Sequence, residues 1–260
     1  MLFATLFRKA YLVQLQYRGA HAIRSVTSVI FGYIYISIWI GLGADHSLGK
    51  YGTEGMIAYI AANQAILVTT LFITYGLGIE TLVRSGNIAV DLLRPVHLFP
   101  HLAWKEAGKI VYSFMYRAIP IYAFFALVFS IPLPSRPEAW AAAACSLVMA
   151  SYINICINYM IGAASLWSGE ARFLYWLHYA VAMVISGFFL PIEWLPAPLR
   201  AAAVWTPYPY IQYAPVTLFL GTNERPLAAL LGALAWCAAL TALCYAVTAV
   251  VRRKLEVQGG

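Results

Sequence analysis

Charged side chains are scarce in this sequence. Asp, Glu, Lys and Arg together make up 10% of its 260 residues, whereas 62% of the residues are hydrophobic. A soluble globular domain usually contains about 25% charged and about 45–50% apolar residues. Because a chain of this length cannot bury so much apolar surface in one core, the composition excludes a water-soluble globular protein. The hydrophobic residues lie in long runs, which excludes disorder as well. We therefore expect an integral membrane protein.

Cysteine is rare, and the motifs of common enzymes are missing. The four cysteines lie inside apolar runs without a C-x-x-C spacing, so neither disulfides nor zinc sites are expected. The sequence contains no G-x-x-x-x-G-K-[ST] phosphate loop, no G-x-S-x-G and no pair of carboxylates within an apolar run. We therefore expect no catalytic residue and no cofactor bound by this chain.

One pair of histidines has a spacing that metal ligands often have. His97 and His101 lie four residues apart. In the H-E-x-x-H zinc motif a glutamate follows the first histidine, but Leu98 stands at that position, and Pro100 disturbs the helix that the motif needs. We interpret both as loop or interfacial histidines and expect no metal.

Uncharged runs predict the membrane-spanning helices, because about 20 apolar residues cross about 30 Å of hydrocarbon. Seven runs are long enough: 25–44, 55–79, 118–135, 139–169, 173–192, 201–223 and 226–251. The third extends back to Ile110 if Arg117 is accepted inside the helix. The sixth contains three prolines within nine residues, and each proline inside a helix costs about 3 kcal/mol. This run is therefore the one least suited to crossing.

The positions of Lys and Arg distinguish six spans from seven. If run 201–223 does not cross, only four of the seventeen basic residues lie outside, and the other thirteen face the cytosol. The four are Lys50, Arg136, Arg200 and Arg225. A crossing would instead place the basic cluster 252–254 outside, against the enrichment of Lys and Arg in cytoplasmic loops. The sequence therefore predicts six spans with both termini in the cytosol.

Two further segments are predicted to lie at the membrane surface. Residues 186–221 are apolar, rich in Trp and Tyr, and interrupted by prolines, which free backbone carbonyls that need protein or water around them. The simplest arrangement is a pair of short helices, 195–204 and 211–220, that dip in from outside and return. The N-terminal stretch 1–24 is interrupted by basic residues and is predicted to form an interfacial helix rather than a cleavable signal.

Three stretches resemble the ABC-2-type transporter permeases. They are Gln16-Tyr17-Arg18 before the first run, the stretch from Ser85 to Pro95 after the second run, and the late order Ser186-Gly187, Pro191, Pro196, Pro207, Pro215 and Gly221. Together they are similar to the six-helix bacterial exporter permeases. The resemblance implies a permease paired with a second permease, either an identical copy or a related chain, above two copies of an ABC ATPase that binds ATP and Mg²⁺.

The predicted fold is all-α: a polytopic membrane bundle of six transmembrane helices with both termini inside. It includes the interfacial N-terminal helix and a re-entrant external helix pair between helices 5 and 6. The chain is expected to be one transmembrane domain, 1–260. Its parts are the interfacial helix 1–24, the first two spans 25–79, the cytosolic loop 80–109, spans three to five 110–192, the external segment 193–225, the sixth span 226–251 and the tail 252–260.

The loop 80–109 is the candidate docking element for the ATPase, because it is the largest internal loop. Asn87 is expected to cap a short helix, 88–93, that Pro95 ends. In the family this region is the coupling helix, which enters a cleft of the ATPase; the alternative is a plain connecting loop with solvated charges. The predicted coupling residues are Glu80, Arg84, Asp91, Leu92, Leu93 and Arg94.

Polar side chains at membrane depth are further candidates, because they are costly in hydrocarbon. Arg117 either contacts substrate or lipid, or snorkels to the cytosolic headgroups. Asn63, Asn154 and Asn158 either line a pathway or hydrogen-bond to neighbouring helices. Glu193 lies either at the outer exit or on a wet rim. These five residues form the predicted substrate pathway.

The resemblance to ABC-2-type permeases implies that the chain is the permease subunit of an ATP-binding cassette exporter. It would move a small amphipathic, lipid-like or drug-like substrate out across the cytoplasmic membrane of a bacterium, using ATP hydrolysed by the partner. Membrane lipid is an expected partner and nucleic acid is not. One alternative is a self-contained channel or secondary transporter, which the lack of proton-relay carboxylates and of inverted repeats disfavours. The other is a membrane scaffold or assembly factor.

Overall fold

The computed structural model describes residues 2–71, 74–93, 95–168 and 170–258, with side chains through Val251. Every regular element in this part of the chain is a helix. The order is α1 Leu2–Gln16, α2 Arg18–Asp45, α3 Gly52–Thr70, α4 Ile79–Arg84, α5 Ile88–Leu93, α6 Leu98–Ser113, α7 Ile119–Val128, α8 Pro137–Ser168, α9 Arg172–Ile185, α10 Ala197–Val204, α11 Tyr213–Phe219 and α12 Pro226–Gln258.

Five helical segments of the described chain are long and apolar enough to cross a membrane. They are Arg18–Asp45, Gly52–Arg84, Leu98–Val128, Pro137–Ser168 and Pro226–Val251; in the second, α3 and α4 are separated by a stretch that includes residues 72 and 73, which lie outside the described part of the chain. The predicted all-helical membrane bundle is thereby confirmed. The predicted fifth span differs, because α9 ends at Ile185 and residues 186–190 bend. With 14 residues, α9 extends only about 21 Å at 1.5 Å per residue, so the count of six spans stays a prediction.

The third spanning segment contains an irregular turn. Residues Phe114–Ala118 form a π-helical turn between α6 and α7. Pro120 follows it, and a proline inside a helix lacks the N–H that normally bonds one turn back. A π turn often accompanies such a missing hydrogen bond, and it changes the direction in which the side chains of the turn point. The helix therefore runs past Arg117, as the extension back to Ile110 predicted.

The core lies around α3 and α8. Most of α3 is buried, and its continuation passes so close to α8 that only glycine fits on either side. A Cβ on Gly162 would lie 2.1 Å from the carbonyl oxygen of Gly76, which itself has φ 48°. By contrast, only 17% of the residues in the most hydrophobic stretch of α2, and likewise of α12, are buried. These two helices therefore lie at the periphery of the bundle and present apolar side chains outward.

Polar contacts mark the two ends of the bundle. At one end, Lys109 Nζ donates to Thr74 Oγ1 at 2.6 Å and pairs with Glu106 Oε2 at 2.8 Å. At the other, Lys50 Nζ lies 2.6 Å from Glu193 Oε1 and 3.7 Å from Glu224 Oε1. We name these the Lys109 end and the Lys50 end. All the residues at the Lys50 end belong to segments that the charge distribution predicts to be external.

Two predicted surface segments are helical where expected. Short helices occur at α10 and α11, close to the predicted 195–204 and 211–220, and α10 begins only after Pro196. Whether they dip into a membrane stays a prediction. Helix α1 packs along α6 so closely that a Cβ on Gly108 would lie 2.3 Å from the carbonyl oxygen of Phe7. The first spanning helix begins at Arg18, earlier than the predicted Ser25.

Candidate functional site

A cavity of about 630 Å³ lies between α2, α3, the π turn and α9. Its polar lining consists of Arg24, Thr27, Ser28, Gln64, Arg117, Tyr175 and Tyr179, and its apolar lining of Phe31, Tyr35, Leu67, Met183, Phe188 and Phe189. We name it the Arg117 cavity. Residues 24, 28, 31 and 35 recur at helical spacing and so share one face of α2, and 175, 179 and 183 do the same on α9. Two helix faces therefore meet across it.

Arg117 is buried without a partner. Its side chain is 4% exposed, and its Nε has no hydrogen-bond acceptor among the described residues. No described carboxylate lies within ion-pair distance of the guanidinium, and the nearby charge is the like charge of Arg24. Arg117 lies eight residues after Lys109, which is about 12 Å deeper along the helix. Among the guanidinium nitrogens only Nε is fully buried without a described partner, so the choice between a substrate or lipid contact and snorkelling to the headgroups stays a prediction.

A second group of polar side chains in the interior is joined by hydrogen bonds. Asn154 Nδ2 donates to the carbonyl oxygen of Thr70, and Asn154 Oδ1 lies 3.0 Å from His178 Nε2. The other ring nitrogen of His178 lies 3.1 Å from the Tyr208 hydroxyl. Asn158 Nδ2 donates to the Asn154 carbonyl at 3.1 Å. We name these five residues the Asn154 network; it connects α3, α8 and α9 to the turn before α11.

Asn63 belongs to a similar contact nearer the Lys50 end. Its Nδ2 and the Tyr59 hydroxyl both donate to the carbonyl oxygen of Gly187, in the bend after α9. Gly187 has φ 86°, and a Cβ there would lie 2.7 Å from the Cβ of Tyr213. This bend therefore requires glycine. Asn63, Asn154 and Asn158 are all fully buried, and none of them lines the Arg117 cavity.

Glu193 lies at the Lys50 end, in a small group of polar contacts. Besides Lys50, it accepts a hydrogen bond from the Tyr51 hydroxyl at 3.0 Å, and its backbone carbonyl accepts one from Arg200 at 3.2 Å. Burial alone would raise the pKa of Glu193, but the hydrogen bonds from Lys50 and Tyr51 outweigh it and hold the pKa below its ordinary value. Its carboxylate therefore connects the loop before α3 to the segment before α10.

The start of the candidate docking loop is anchored to the bundle. Glu80 is buried and accepts hydrogen bonds from the Tyr75 hydroxyl and from the backbone N–H of Ala171, the latter at 3.2 Å. It also pairs with Arg84 at 2.7 Å. These contacts connect α4 to the residue before α9, the helix that contributes Tyr175, Tyr179 and Met183 to the Arg117 cavity.

Helix α5 has the bounds that the sequence predicts, Ile88–Leu93. Ile88 is buried and Leu92 packs against the core, whereas Val90 and Leu93 are exposed, Leu93 by 86%. The Asn87 side chain donates through Nδ2 to Ser85 Oγ at 3.0 Å, and capping of α5 by its Oδ1 stays a prediction. Asp91 is partly buried. Arg94 lies outside the described residues.

The comparison with family models decides the class. The model of the family described as "ABC-2 family transporter protein" matches residues 29–259, which is most of the chain. The chain belongs to the ABC-2 transporter family. The resemblance seen in the sequence is thereby confirmed, and the protein is a multi-pass membrane permease of the ABC transporter class. No curated protein and no solved structure matches it significantly.

In this ABC-2 permease the predicted site residues fall into separate places. Arg117 lines the cavity, the three asparagines lie in the hydrogen-bonded interior, and Glu193 lies at the Lys50 end. Of the predicted coupling residues, Glu80 and Arg84 lie at the Lys109 end and Asp91, Leu92 and Leu93 in α5, which packs beside α4. Within the described residues, no group of three or more His, Cys, Asp or Glu is arranged to hold a metal ion. Among the described residues, the lining of the Arg117 cavity contains two basic side chains, the buried Arg117 and the exposed Arg24.

Sequence reasoning missed several polar residues of this ABC-2 permease. His178 is buried at the centre of the Asn154 network, and Gln212 Nε2 donates to Thr70 Oγ1 at 3.0 Å nearby. A histidine inside an uncharged run was itself a signal, since ionisable residues at membrane depth are rare. Tyr175 and Tyr179 could also have been found, because they recur four residues apart on a helix whose other residues are largely apolar.

Proposed function

We propose that this ABC-2 permease is the membrane subunit of an exporter driven by a separate ABC ATPase. Two permease chains, identical or related, would assemble with two ATPase subunits in the cytoplasmic membrane of a bacterium. The α9 helix and the bend after it would complete a sixth crossing, and the Lys109 end would face the cytosol. The observation that carries the proposal is α5: a short, anchored helix whose Val90 and Leu93 side chains point away from the bundle.

The docking argument depends on which side chains of α5 pack against the permease and which are exposed. Ile88 and Leu92 hold the helix to the permease, so they are available to an ATPase only if α5 detaches. Leu93 and Val90 are exposed apolar side chains at the end of the bundle that is predicted to be cytosolic. Exposed apolar side chains that lie next to each other and are bordered by charges are a common feature of protein–protein contact sites. We therefore assign the central contact to Leu93 rather than to Leu92.

The transport argument follows the anchored start of the loop. Binding of ATP would close the ATPase subunits and move α5, and the contacts of Glu80 with Tyr75 and Ala171 would pass this movement to α9. Since α9 and α2 face each other across the Arg117 cavity, their relative movement would change its width. A small amphipathic substrate that enters this cavity would then be released toward the Lys50 end.

The docking assignment is tested by co-purification. The tagged permease is isolated from its native host in a mild detergent, and ABC-type ATPases among the bound proteins are quantified by mass spectrometry. Leu93→Asp should lose the ATPase by at least about tenfold, since an unpaired charge in a buried contact costs several kcal/mol. The matched control is Leu133→Asp, which alters an exposed leucine in the loop before α8, near the Lys50 end.

The outcomes separate the alternatives. Loss of the ATPase in Leu93→Asp but not in Leu133→Asp supports the proposal. Equal retention in both variants, with normal export, would show that α5 is not the docking element. If no ATPase is recovered with the wild-type protein and vesicles containing only this chain transport substrate, the protein is a secondary transporter or channel instead.

The orientation is tested by cysteine labelling in intact cells. In a background without the four native cysteines, Ser47→Cys at the Lys50 end should react with a membrane-impermeant maleimide added outside. Ser85→Cys at the Lys109 end should react only after the cells are opened. Both serines are exposed in the structure, so accessibility to the reagent depends on the side of the membrane. The reverse pattern would contradict the proposed orientation.

A further inference from the structure

We infer that the Arg117 cavity binds the negatively charged head of an amphipathic anion, namely a phosphate ester or a carboxylate that carries an apolar part. The inference rests on the proposed function only in so far as the bound anion is the cargo; binding itself requires neither the ATPase nor transport. It adds to that proposal a charge and a position for the ligand.

The guanidinium of Arg117 supplies the first argument. A buried charge is normally paired, because an uncompensated one is strongly destabilising. Arg117 is 4% exposed and faces a cavity rather than a carboxylate, and its Nε has no acceptor in the described part of the chain. The only other charged side chain in the lining is also basic, Arg24. The two arginines therefore create a positive potential that a single anionic group would neutralise.

Donor geometry favours an oxyanion. An arginine presents several N–H groups in a planar fork, which matches the oxygens of a carboxylate or phosphate. Tyr175, which carries a hydroxyl group, belongs to the same lining, whereas the Ser28 hydroxyl already donates to the backbone carbonyl of Arg24 at 3.1 Å. A neutral or cationic ligand would leave Arg117 unpaired, and a cation would in addition be repelled by both arginines.

The remaining wall determines what is attached to the anion. Phe31, Tyr35, Met183, Phe188 and Phe189 continue the lining away from the two arginines. The rings of Tyr35 and Phe189 lie edge to face with centroids 5.5 Å apart, and Phe188 and Phe189 lie 5.0 Å apart. A cavity of about 630 Å³ is within the range of about 300–1,000 Å³ that holds one small molecule. It therefore suits an anion with one apolar part better than a bare inorganic ion.

The test measures binding of radiolabelled dodecyl phosphate to the full-length permease in phosphatidylcholine nanodiscs, with empty nanodiscs as background. Three competitors distinguish the chemistry. Dodecylphosphocholine has the same chain and a phosphate but no net charge, inorganic phosphate has the charge but no chain, and phosphatidylglycerol built into the disc provides an anionic lipid headgroup. We expect saturable binding that neither dodecylphosphocholine nor inorganic phosphate displaces. Displacement by phosphatidylglycerol identifies a bilayer lipid as the ligand source, and no displacement identifies a soluble amphiphile; the inference stands in both cases.

Variants locate the binding. Arg117→Gln should weaken it by at least about tenfold, because a charge-assisted contact is lost, whereas Arg117→Lys should retain part of it. The matched control is Arg136→Gln, an exposed arginine in the loop before α8, which should bind as the wild type does. In case Arg117→Gln misfolds, Thr27→Trp provides a second variant, since it obstructs the cavity from an exposed position and leaves both arginines in place.

The inference is overturned if dodecylphosphocholine or inorganic phosphate competes as well as dodecyl phosphate does. It is equally overturned if well-folded Arg117→Gln and Thr27→Trp both bind as the wild type. Because no step of this assay involves the ATPase, its result is independent of the co-purification with Leu93→Asp. Failure of binding and failure of docking can therefore be told apart.

Discussion

The Asn154 network and the lining of the Arg117 cavity are two sets of polar side chains inside the same bundle. Most groups of the first set are hydrogen-bonded to each other, whereas two buried atoms of the second have no partner in the described part of the chain. In the network, Asn154, His178 and Tyr208 are joined in a chain of hydrogen bonds. In the cavity lining, Arg117 Nε and Gln64 Oε1 are buried without a hydrogen-bond partner among the described residues. The network leaves one such atom, Asn158 Oδ1, but its other groups are paired as in a structural contact, whereas the cavity lining includes a buried cation without a described counterion.

The two sets differ in their effect on the stability of the folded protein. A hydrogen bond between helices stabilises a membrane protein by about 0.6–2 kcal/mol, so the network adds to stability without any ligand. A buried cation without a counterion reduces stability. The bundle can retain Arg117 only because other contacts offset its cost. Substitutions in the two regions should therefore change stability in opposite directions.

The largest effect is expected for Asn154→Leu. This change removes the donor to the Thr70 carbonyl and the partner of His178 Nε2, and it leaves both groups buried. Each buried group without a partner costs about 1–3 kcal/mol. We expect a loss of several degrees in the apparent melting temperature of the detergent-solubilised protein, followed by intrinsic fluorescence. An unchanged melting temperature would show that the network does not stabilise the bundle.

The opposite sign is expected for Arg117→Met. Methionine fills a similar volume without a charge and can adapt to an irregular space. Replacing a buried ionic group by an apolar one of similar size is often neutral or stabilising, so the melting temperature should stay constant or rise in the absence of ligand. A fall as large as that of Asn154→Leu would contradict the comparison, because it would mean that Arg117 has a stabilising partner in the protein itself.

The sequence could predict the helical bundle, but not which of its polar residues are hydrogen-bonded to each other and which have no partner. Apolar runs are set by the hydrocarbon thickness, so α2, α8 and α12 lie close to the predicted runs. α9 differs because its helix ends at Ile185, before a bend at Gly187 that depends on a contact with Tyr59 from a distant helix. Such long-range contacts leave no local pattern in the sequence.

The candidate site was predictable to a similar extent. Arg117 was recognisable because a charge in an apolar run is rare. That it lacks a partner, whereas Asn154 has three, depends on which helix faces meet, and single-sequence periodicity does not determine this. In α5 the sequence placed the helix correctly, but the choice between Leu92 and Leu93 as the exposed side chain depends on its packing against the core.

A smaller effect is expected for Tyr208→Phe, which sharpens the account of the network. The change removes one hydroxyl, the partner of His178 Nδ1, and leaves the ring and its contact with the histidine. We expect a loss of about 0.6 kcal/mol. Combined with Asn154→Leu, the second substitution should cost less than it does alone, since His178 is then already displaced. Strict additivity in the measured stabilities would show that the members act independently.

The smallest effect concerns the Lys50 end, where both partners are close to water. The hydrogen bond to Glu193 raises the pKa of Lys50 despite some burial, and the pKa of Glu193 is lowered although burial alone would raise it. A carboxylate with a depressed pKa stabilises the fold above its unfolded pKa of about 4.3, and this contribution is lost as the pH falls through the lower folded value. The ammonium group of Lys50 stabilises the fold fully below its unfolded pKa of about 10.4. This stabilisation is lost as the pH rises through the higher pKa of the folded state.

The contact should therefore be constant between about pH 5 and pH 9. Lys50→Met should lower stability in this window by less than about 1 kcal/mol, because Lys50 is 46% exposed and screened by solvent. The measurement is the difference in melting temperature between wild type and Lys50→Met, recorded from acid to neutral pH. The difference should shrink toward zero as Glu193 becomes protonated. A difference that persisted at acid pH would show that Lys50 stabilises this end through its contacts with the Tyr51 ring rather than through the charge of Glu193.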